Sequence, residues 1–163
     1  MLSRKIQDAL NEQINAEFHS AYLYLSMAAY FQSINFEGFA QWMRVQVEEE
    51  KGHGLRIFDF INDRDGRVTL KAVDAPPAKW ASPLAAFEET CRHEVTVTGL
   101  LNDLLKLAGK EDDAATQIFL HEFITEQVEE EKNALTIVRT LKRIGDSANG
   151  LIMFDRELGK REK

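Results

Sequence analysis

The chain has 163 residues, of which 44% are hydrophobic and 29% charged, with three prolines, nine glycines and one cysteine. That composition excludes collagen, low-complexity disorder, a disulfide scaffold and any four-cysteine metal cluster. The net charge of −7 argues against a general nucleic-acid binder and leaves room for a protein that handles cations.

One domain is expected over 1–163, an all-α unit with a bundle over about 3–144 and a short last helix over about 147–159. The start, Met1-Leu2-Ser3-Arg4-Lys5, lacks the apolar core of a signal peptide. The lone Cys91 fits a reducing compartment, so a cytoplasmic location is expected. The first helix runs from about Ser3 to Gln32, with a seam of Leu10, Ile14, Glu17, Ala21, Tyr24, Ala28 and Phe31 spaced alternately four and three. Phe18 to Phe36 carries no Asp, Glu, Lys or Arg and is nearly long enough to span a bilayer. His19, Ser20, Ser26, Gln32, Ser33 and Asn35 within it favour a helix buried in protein, with no membrane partner.

The second helix begins near Asn35, read as its N-cap, and ends near Asp63. Its seam is Phe39, Met43, Gln46, Glu50, His53, Ile57 and Phe60. Asp63-Arg64-Asp65-Gly66 is a turn signal, Val68-Thr69-Leu70 a short extended piece, and Asp74-Ala75-Pro76-Pro77 continues the irregular stretch. Ser82-Pro83 starts the third helix, with Ser as cap and Pro at the first helical position. Its seam reads Leu84, Phe87, Cys91, Glu94, Thr98, Leu101, Leu105 and Ala108, and Gly109 is expected to stop it. The fourth starts near Asp112-Asp113 and carries Leu120, Phe123, Gln127, Glu130, Ala134, Ile137 and Leu141 before Gly145. The last helix has Leu151, Phe154 and Leu158 on one face.

The linkers decide topology. Short links make helices one–two and three–four antiparallel pairs. The nearly twenty residues between helices two and three can reach roughly 60 Å, more than the roughly 40 Å of a 27-residue helix. The expected fold is a four-helix bundle with one long crossover and a short fifth helix. Val47-Glu48-Glu49-Glu50-Lys51 recurs as Val128-Glu129-Glu130-Glu131-Lys132, each copy midway along the second helix of its pair. An old duplication or chance explains the echo.

Glu17, Glu50, Glu94 and Glu130, with His53 and Gln127, fall near the mid-points of four seams, and so in one slice of the core. Unpaired burial of four carboxylates would cost many kcal/mol, and no Lys or Arg lies on the seams to balance them. Metal is the economical answer. Oxygen ligands with one imidazole suit iron or manganese, and four carboxylates with one His suit two ions. Glu50 and His53, three apart, share a helical face and can grip one ion together. His19, His93 and His121 fall off the seams and are read as surface histidines. Tyr24 is either a core aromatic whose hydroxyl needs a partner or a group that bonds a ligand or supplies an electron. Cys91 is read as a small core residue. Glu49, Glu126 and Glu129 lie just off the seams: a solvated face, or a third, more exposed cation site.

As a set, Glu17, Tyr24, Glu50-x-x-His53, Glu94 and Gln127 with Glu130 resemble the ferroxidase pattern of ferritins, and the resemblance covers essentially the whole chain. Similarity to the non-haem bacterial ferritins implies a further site using Glu49, Glu126 and Glu129 with Glu130. Two departures point away from the haem-binding bacterioferritins. Asn133 stands where a second Glu-x-x-His pair would put its His, and Lys51 where a haem-ligating Met would follow Glu50. Rubrerythrins need four cysteines. Mini-ferritins lack the fifth helix and put their ligands between subunits.

The resemblance implies iron storage and detoxification, with Fe²⁺ and dioxygen (or peroxide) as partners and no haem. Two irons per subunit are expected, Glu17, Glu50 and His53 holding one, and Glu94 and Glu130 the other, with Glu50 bridging. Gln127 would hydrogen-bond bound oxygen or water. With no second His, the second ion is held less firmly, which favours release of ferric product. Twenty-four subunits would form a hollow shell for the ferric mineral, with the fifth helix at a subunit contact. The alternatives are a di-iron redox enzyme of the rubrerythrin or bacterioferritin-like group acting on peroxide or another substrate, and a metal-free helical interaction module.

Overall fold

A computed structural model of the protein describes residues 2–162. Five helices follow in order, α1 Arg4–Ser33, α2 Glu37–Asp63, α3 Pro83–Lys110, α4 Ala114–Ile144 and α5 Ala148–Leu158, with no strand among the described residues. The first four form the expected bundle.

Local chemistry sets four of the five helix starts. Ser3 Oγ accepts from Ile6 N, Ser82 Oγ from Ala85 N with Pro83 at the first position, Asp113 Oδ1 from Thr116 N, and Ser147 Oγ from Gly150 N. Each such cap is worth about 0.5–2 kcal/mol.

Two ends differ from expectation. Asn35 does not cap α2. It takes the left-handed conformation (φ 61°) that turns the chain, and Phe36 precedes the helix with no side-chain cap. Gly109 does not stop α3, which continues to Lys110. The left-handed residue there is Asp112 (φ 52°), a role open to Asp because its short side chain bonds locally.

The crossover, residues 64–82, runs alongside α1 in the same direction. Asn11 Nδ2 donates to Arg67 O and Asn15 Nδ2 to Ala72 O, Ser26 Oγ to Pro77 O, and Tyr30 packs at a tilt against Trp80 with ring centroids 5.4 Å apart. Thr69 N also donates to Asn11 Oδ1, which holds the 68–70 stretch against α1. The linker therefore carries the chain from one end of the bundle to the other, and α3 returns antiparallel to α1. Lys5, at the start of α1, accordingly meets Glu111 at the end of α3.

The seams of α1, α2 and α4 turn inward as read. Half of the α3 seam holds, with Phe87, Glu94, Leu101 and Ala108 buried as read, and the positions between them move by one. Thr90, Val97 and Leu104 are buried, whereas Cys91, Thr98 and Leu105 are only half-buried. A helix of 3.6 residues per turn drifts against a strict seven-residue repeat, and α3 offers apolar residues on both tracks.

The apolar interior falls into two separate clusters. One gathers Met27, Phe31, Phe39, Met43, Phe87 and Leu141; the other gathers Leu10, Ile14, Ile57, Leu101, Leu120 and Phe123. Buried Glu17, Gln46, Glu50, Glu94 and Gln127 lie at the level between them.

The fifth helix crosses the start of α2 backbone to backbone. A Cβ added at Gly38 would stand 1.7 Å from the Asp155 carbonyl oxygen, so only glycine fits there. Asp155 Oδ1 accepts from Phe39 N, and Phe154 packs edge-on against Phe39.

Candidate metal centre

Each of the four long helices supplies the level between the clusters. From α1 comes Glu17, 1% exposed, whose Oε1 accepts from Gln13 Nε2 one turn earlier at 2.8 Å. Its Oε2 is buried with no donor among the described residues. From α2 come Glu50, 4% exposed, and His53, whose Nδ1 lies 3.3 Å from Glu50 Oε2. Ligand atoms of Glu17, Glu50 and His53 all lie within 4.8 Å of one another.

The other two helices close the level. Tyr24 of α1 donates its hydroxyl to Glu94 Oε1 of α3. Gln127 Nε2 of α4 donates to Glu94 Oε2 (2.6 Å) and to the Glu94 carbonyl (3.1 Å). Glu130 of α4 accepts from Gln46 Nε2 at 3.1 Å, which leaves the buried Gln46 Oε1 without a donor. Glu94 and Glu130 stand outside the tight group of three but within reach of its field. Among the described residues no Lys or Arg forms an ion pair with Glu17, Glu50, Glu94 or Glu130.

The electrostatics follow from that absence. Burial, then the Glu50 charge, pushes the Glu17 carboxyl up to about 8. Burial, then Glu94, holds Glu50 well above the usual carboxylate range. Burial also raises Glu94, against the opposing hydrogen bonds from Tyr24 and Gln127. Glu130 rises to about 7 through burial, then the charges of Glu49 and Glu94. Such groups either keep a proton or take a cation in its place. Glu17, with its undonated Oε2, forms with Glu50 and His53 the group best placed to hold that proton or cation.

The rim outside this level is arranged differently. A cavity of about 410 Å³ opens beside His53, lined by Glu49, Glu126, Glu129, Glu130 and Arg56. Glu126 receives Arg56 Nη1 at 3.1 and 3.3 Å and lies 2.9 Å from His53 Nε2, while Arg56 Nη2 reaches Glu122 at 2.6 Å. Glu49 receives Arg161 Nη2 at 2.7 Å. Glu129 is exposed at the cavity wall.

Several of these residues escaped the sequence reading. Gln13 was within reach of it, lying one turn before Glu17 on the same face. Gln46 lay on a seam but carried no charge to single it out. Arg56 and Arg161 act across the fold, and no spacing signals them. His93 corrects an expectation. It is not a surface histidine but half-buried, 2.7 Å from Ser20 Oγ and edge-on to Tyr24, and burial, then the His19 charge, lowers it to about 4. His121 is exposed as expected.

Comparison with known proteins follows the same lines. The family model described as Ferritin-like domain matches residues 7–144. The chain is 45% identical to the bacterial non-heme ferritin of Bacteroides fragilis (strain YCH46) over 161 residues, 99% of this chain and 100% of that one. The bacterial non-heme ferritin of Staphylococcus aureus (strain COL) is 40% identical, over 99% of this chain and 97% of that one. Among solved structures, an open pore ferritin from the hyperthermophilic archaeon Archaeoglobus fulgidus superposes with a TM-score of 0.99 at 52% identity, covering 99% of this chain and all of that one. A humanized archaeal ferritin gives 0.98 at 49% identity, over 99% and 98%.

Proposed function

Since the chain belongs to the ferritin family, we propose that it stores iron and that its buried acidic level is a ferroxidase centre taking Fe(II) as substrate. The observation that carries this reading is the Glu17, Glu50 and His53 group, with its undonated Glu17 Oε2 and, among the described residues, no Lys or Arg paired with it.

In this reading Glu17, Glu50 and His53 take one Fe(II), and Glu94 and Glu130 the second, with Glu50 shared. Two ferrous ions each give up one electron, and dioxygen, as co-substrate, accepts the pair. The protein's own part is electrostatic and protonic. Carboxyls raised by burial and mutual repulsion hold protons while the ions are away and release them when the ions bind. Gln127 orients Glu94 through two hydrogen bonds, and Tyr24 fixes the other oxygen of the same carboxylate. Because the α4 side has Asn133 in place of a second histidine, its ion is held by oxygen alone, which suits passage of ferric product toward a mineral. Glu49, Glu126 and Glu129, with Glu130, form an outer cation site on the way. No haem is involved.

We take residues 1–163 as one ferritin-like domain that assembles in the cytoplasm as a homo-oligomeric shell of twenty-four copies, with mineral inside. Anaerobic titration of Fe(II) tests the centre directly. Two tight ions per chain are expected, and His53→Ala with Glu94→Ala should remove both the binding and the rapid aerobic oxidation. Unchanged initial rates in that variant would overturn the assignment, and elution of the native protein as a small oligomer would overturn the shell.

A further inference from the structure

Arg161 lies three residues beyond the end of α5, far in sequence from the acidic level, yet its guanidinium is built into the rim. Its carbon centre sits 4.5 Å from the centroid of the Trp42 ring on α2. Its Nη2 reaches Glu49 Oε2 at 2.7 Å, seven residues further along the same helix. The guanidinium thus bridges two side chains of α2, lying over the ring of one and ion-paired to the other.

Three details make this hold a replaceable one. Nη1 is buried without an acceptor among the described residues, so the grip on Glu49 is a single hydrogen bond and not the two-point fork that Arg forms with a carboxylate at its strongest. The Glu49 side chain is 35% exposed, which weakens the pair by screening. A groove of about 430 Å³ lined by Trp42, Ile137, Leu158 and Arg161 gives the side chain room to withdraw. Arg56 is different. It spans Glu122 and Glu126 with both nitrogens and stacks over Phe123 at 4.4 Å, so it ties α2 to α4.

We propose that Arg161 is the positioning residue for Glu49, a built-in counter-cation that a divalent ion must displace in order to bind in the outer cavity. The proposal rests on the reading of Glu49, Glu126, Glu129 and Glu130 as an outer cation site. Displacement makes that site weak by design. An ion arriving from the centre finds Glu49 already engaged, stays only briefly, and leaves Glu49 to its arginine. Because Arg161 follows α5, any partner that shifts the fifth helix also shifts the competitor.

The test is anaerobic calorimetric titration of the assembled protein with Zn²⁺ alone, a redox-inert divalent probe. Wild type is compared with Arg161→Gln, Arg161→Met and Arg161→Lys. Met keeps an apolar side chain against Trp42, so a folding defect in the Gln variant does not decide the outcome; melting curves and gel filtration accompany each protein. The third Zn²⁺ per chain should bind about five-fold more tightly in the Gln and Met variants, the gain from freeing a partly exposed pair, while Lys restores wild-type affinity. Equal or weaker third-ion affinity in Gln and Met, with Glu129→Ala still deleting that ion, would overturn the role of Arg161 and leave the outer site standing. Only two ions per chain in every variant at saturating zinc would overturn the outer site and the proposal together.

Discussion

Glu49 and Glu50 are neighbours in the chain, one turned to the rim and one to the interior. Glu50 is 4% exposed, pairs with no lysine or arginine among the described residues, and keeps company with Glu17, Glu94 and Glu130. Glu49 is half-buried and carries Arg161, much as Glu126 carries Arg56. The interior leaves its charge problem unsolved until something positive arrives, whereas the rim has solved it with the protein's own cations. A site meant to capture ions has to be the first kind, and a surface meant to pass them on can be the second.

The largest way to break this comparison is with pH. Glu17 has a folded value of about 8 against an ordinary 4.5, so between those limits the folded state keeps a proton that the unfolded state has lost. The ion-free protein should therefore lose stability as pH rises from about 4.5 to 8, by an amount of order 5 kcal/mol at most for this one group. Thermal melts across that range should fall. Glu17→Gln should flatten the slope, and saturating Zn²⁺ should restore the high-pH melting temperature. A pH-independent melt would mean the interior acids are already balanced.

Next in size is the loss of an interior ligand. His53→Ala should lower Fe(II) affinity by at least about 100-fold, more than loss of an outer-shell partner costs, as read by anaerobic titration. Tyr24→Phe is subtler. It strips Glu94 Oε1 of its donor in a closed interior and should cost about 1–3 kcal/mol in the metal-free protein, read by denaturant unfolding. The smallest effect is at the rim. Arg56→Gln should cost about 1 kcal/mol or less, a melting shift of about 2–4 °C, because its partners are largely exposed. If Arg56→Gln proved costlier than Tyr24→Phe, the contrast between interior and rim would be reversed.

The seam residues Glu17, Glu50, His53, Glu94, Gln127 and Glu130 were legible because helical periodicity and equal helix lengths fix which positions share a height. The crossover was legible from its length alone. What sequence could not give were features decided by neighbours distant in the chain or by the geometry of a local turn. The shift in α3 from Cys91, Thr98 and Leu105 to Thr90, Val97 and Leu104 depends on how its neighbours in the bundle pack against it, since its own residues permit either track. The turn at Asn35 depends on a local hydrogen-bonding geometry that made it a corner and not a cap. His93 was drawn inward by Ser20, and Arg161 reaches Glu49 only because α5 folds back over Gly38.

The split of the greasy interior into two clusters has a mechanical corollary. With no continuous hydrocarbon joining the ends, the four rods have a polar waist where cohesion is weakest until ions arrive. Deuterium uptake in the empty protein should start at backbone amides near Gln46 to Glu50 and Gln127 to Glu130, not at the well-greased ends. Loading would then rivet the waist, so that cargo and rigidity come together.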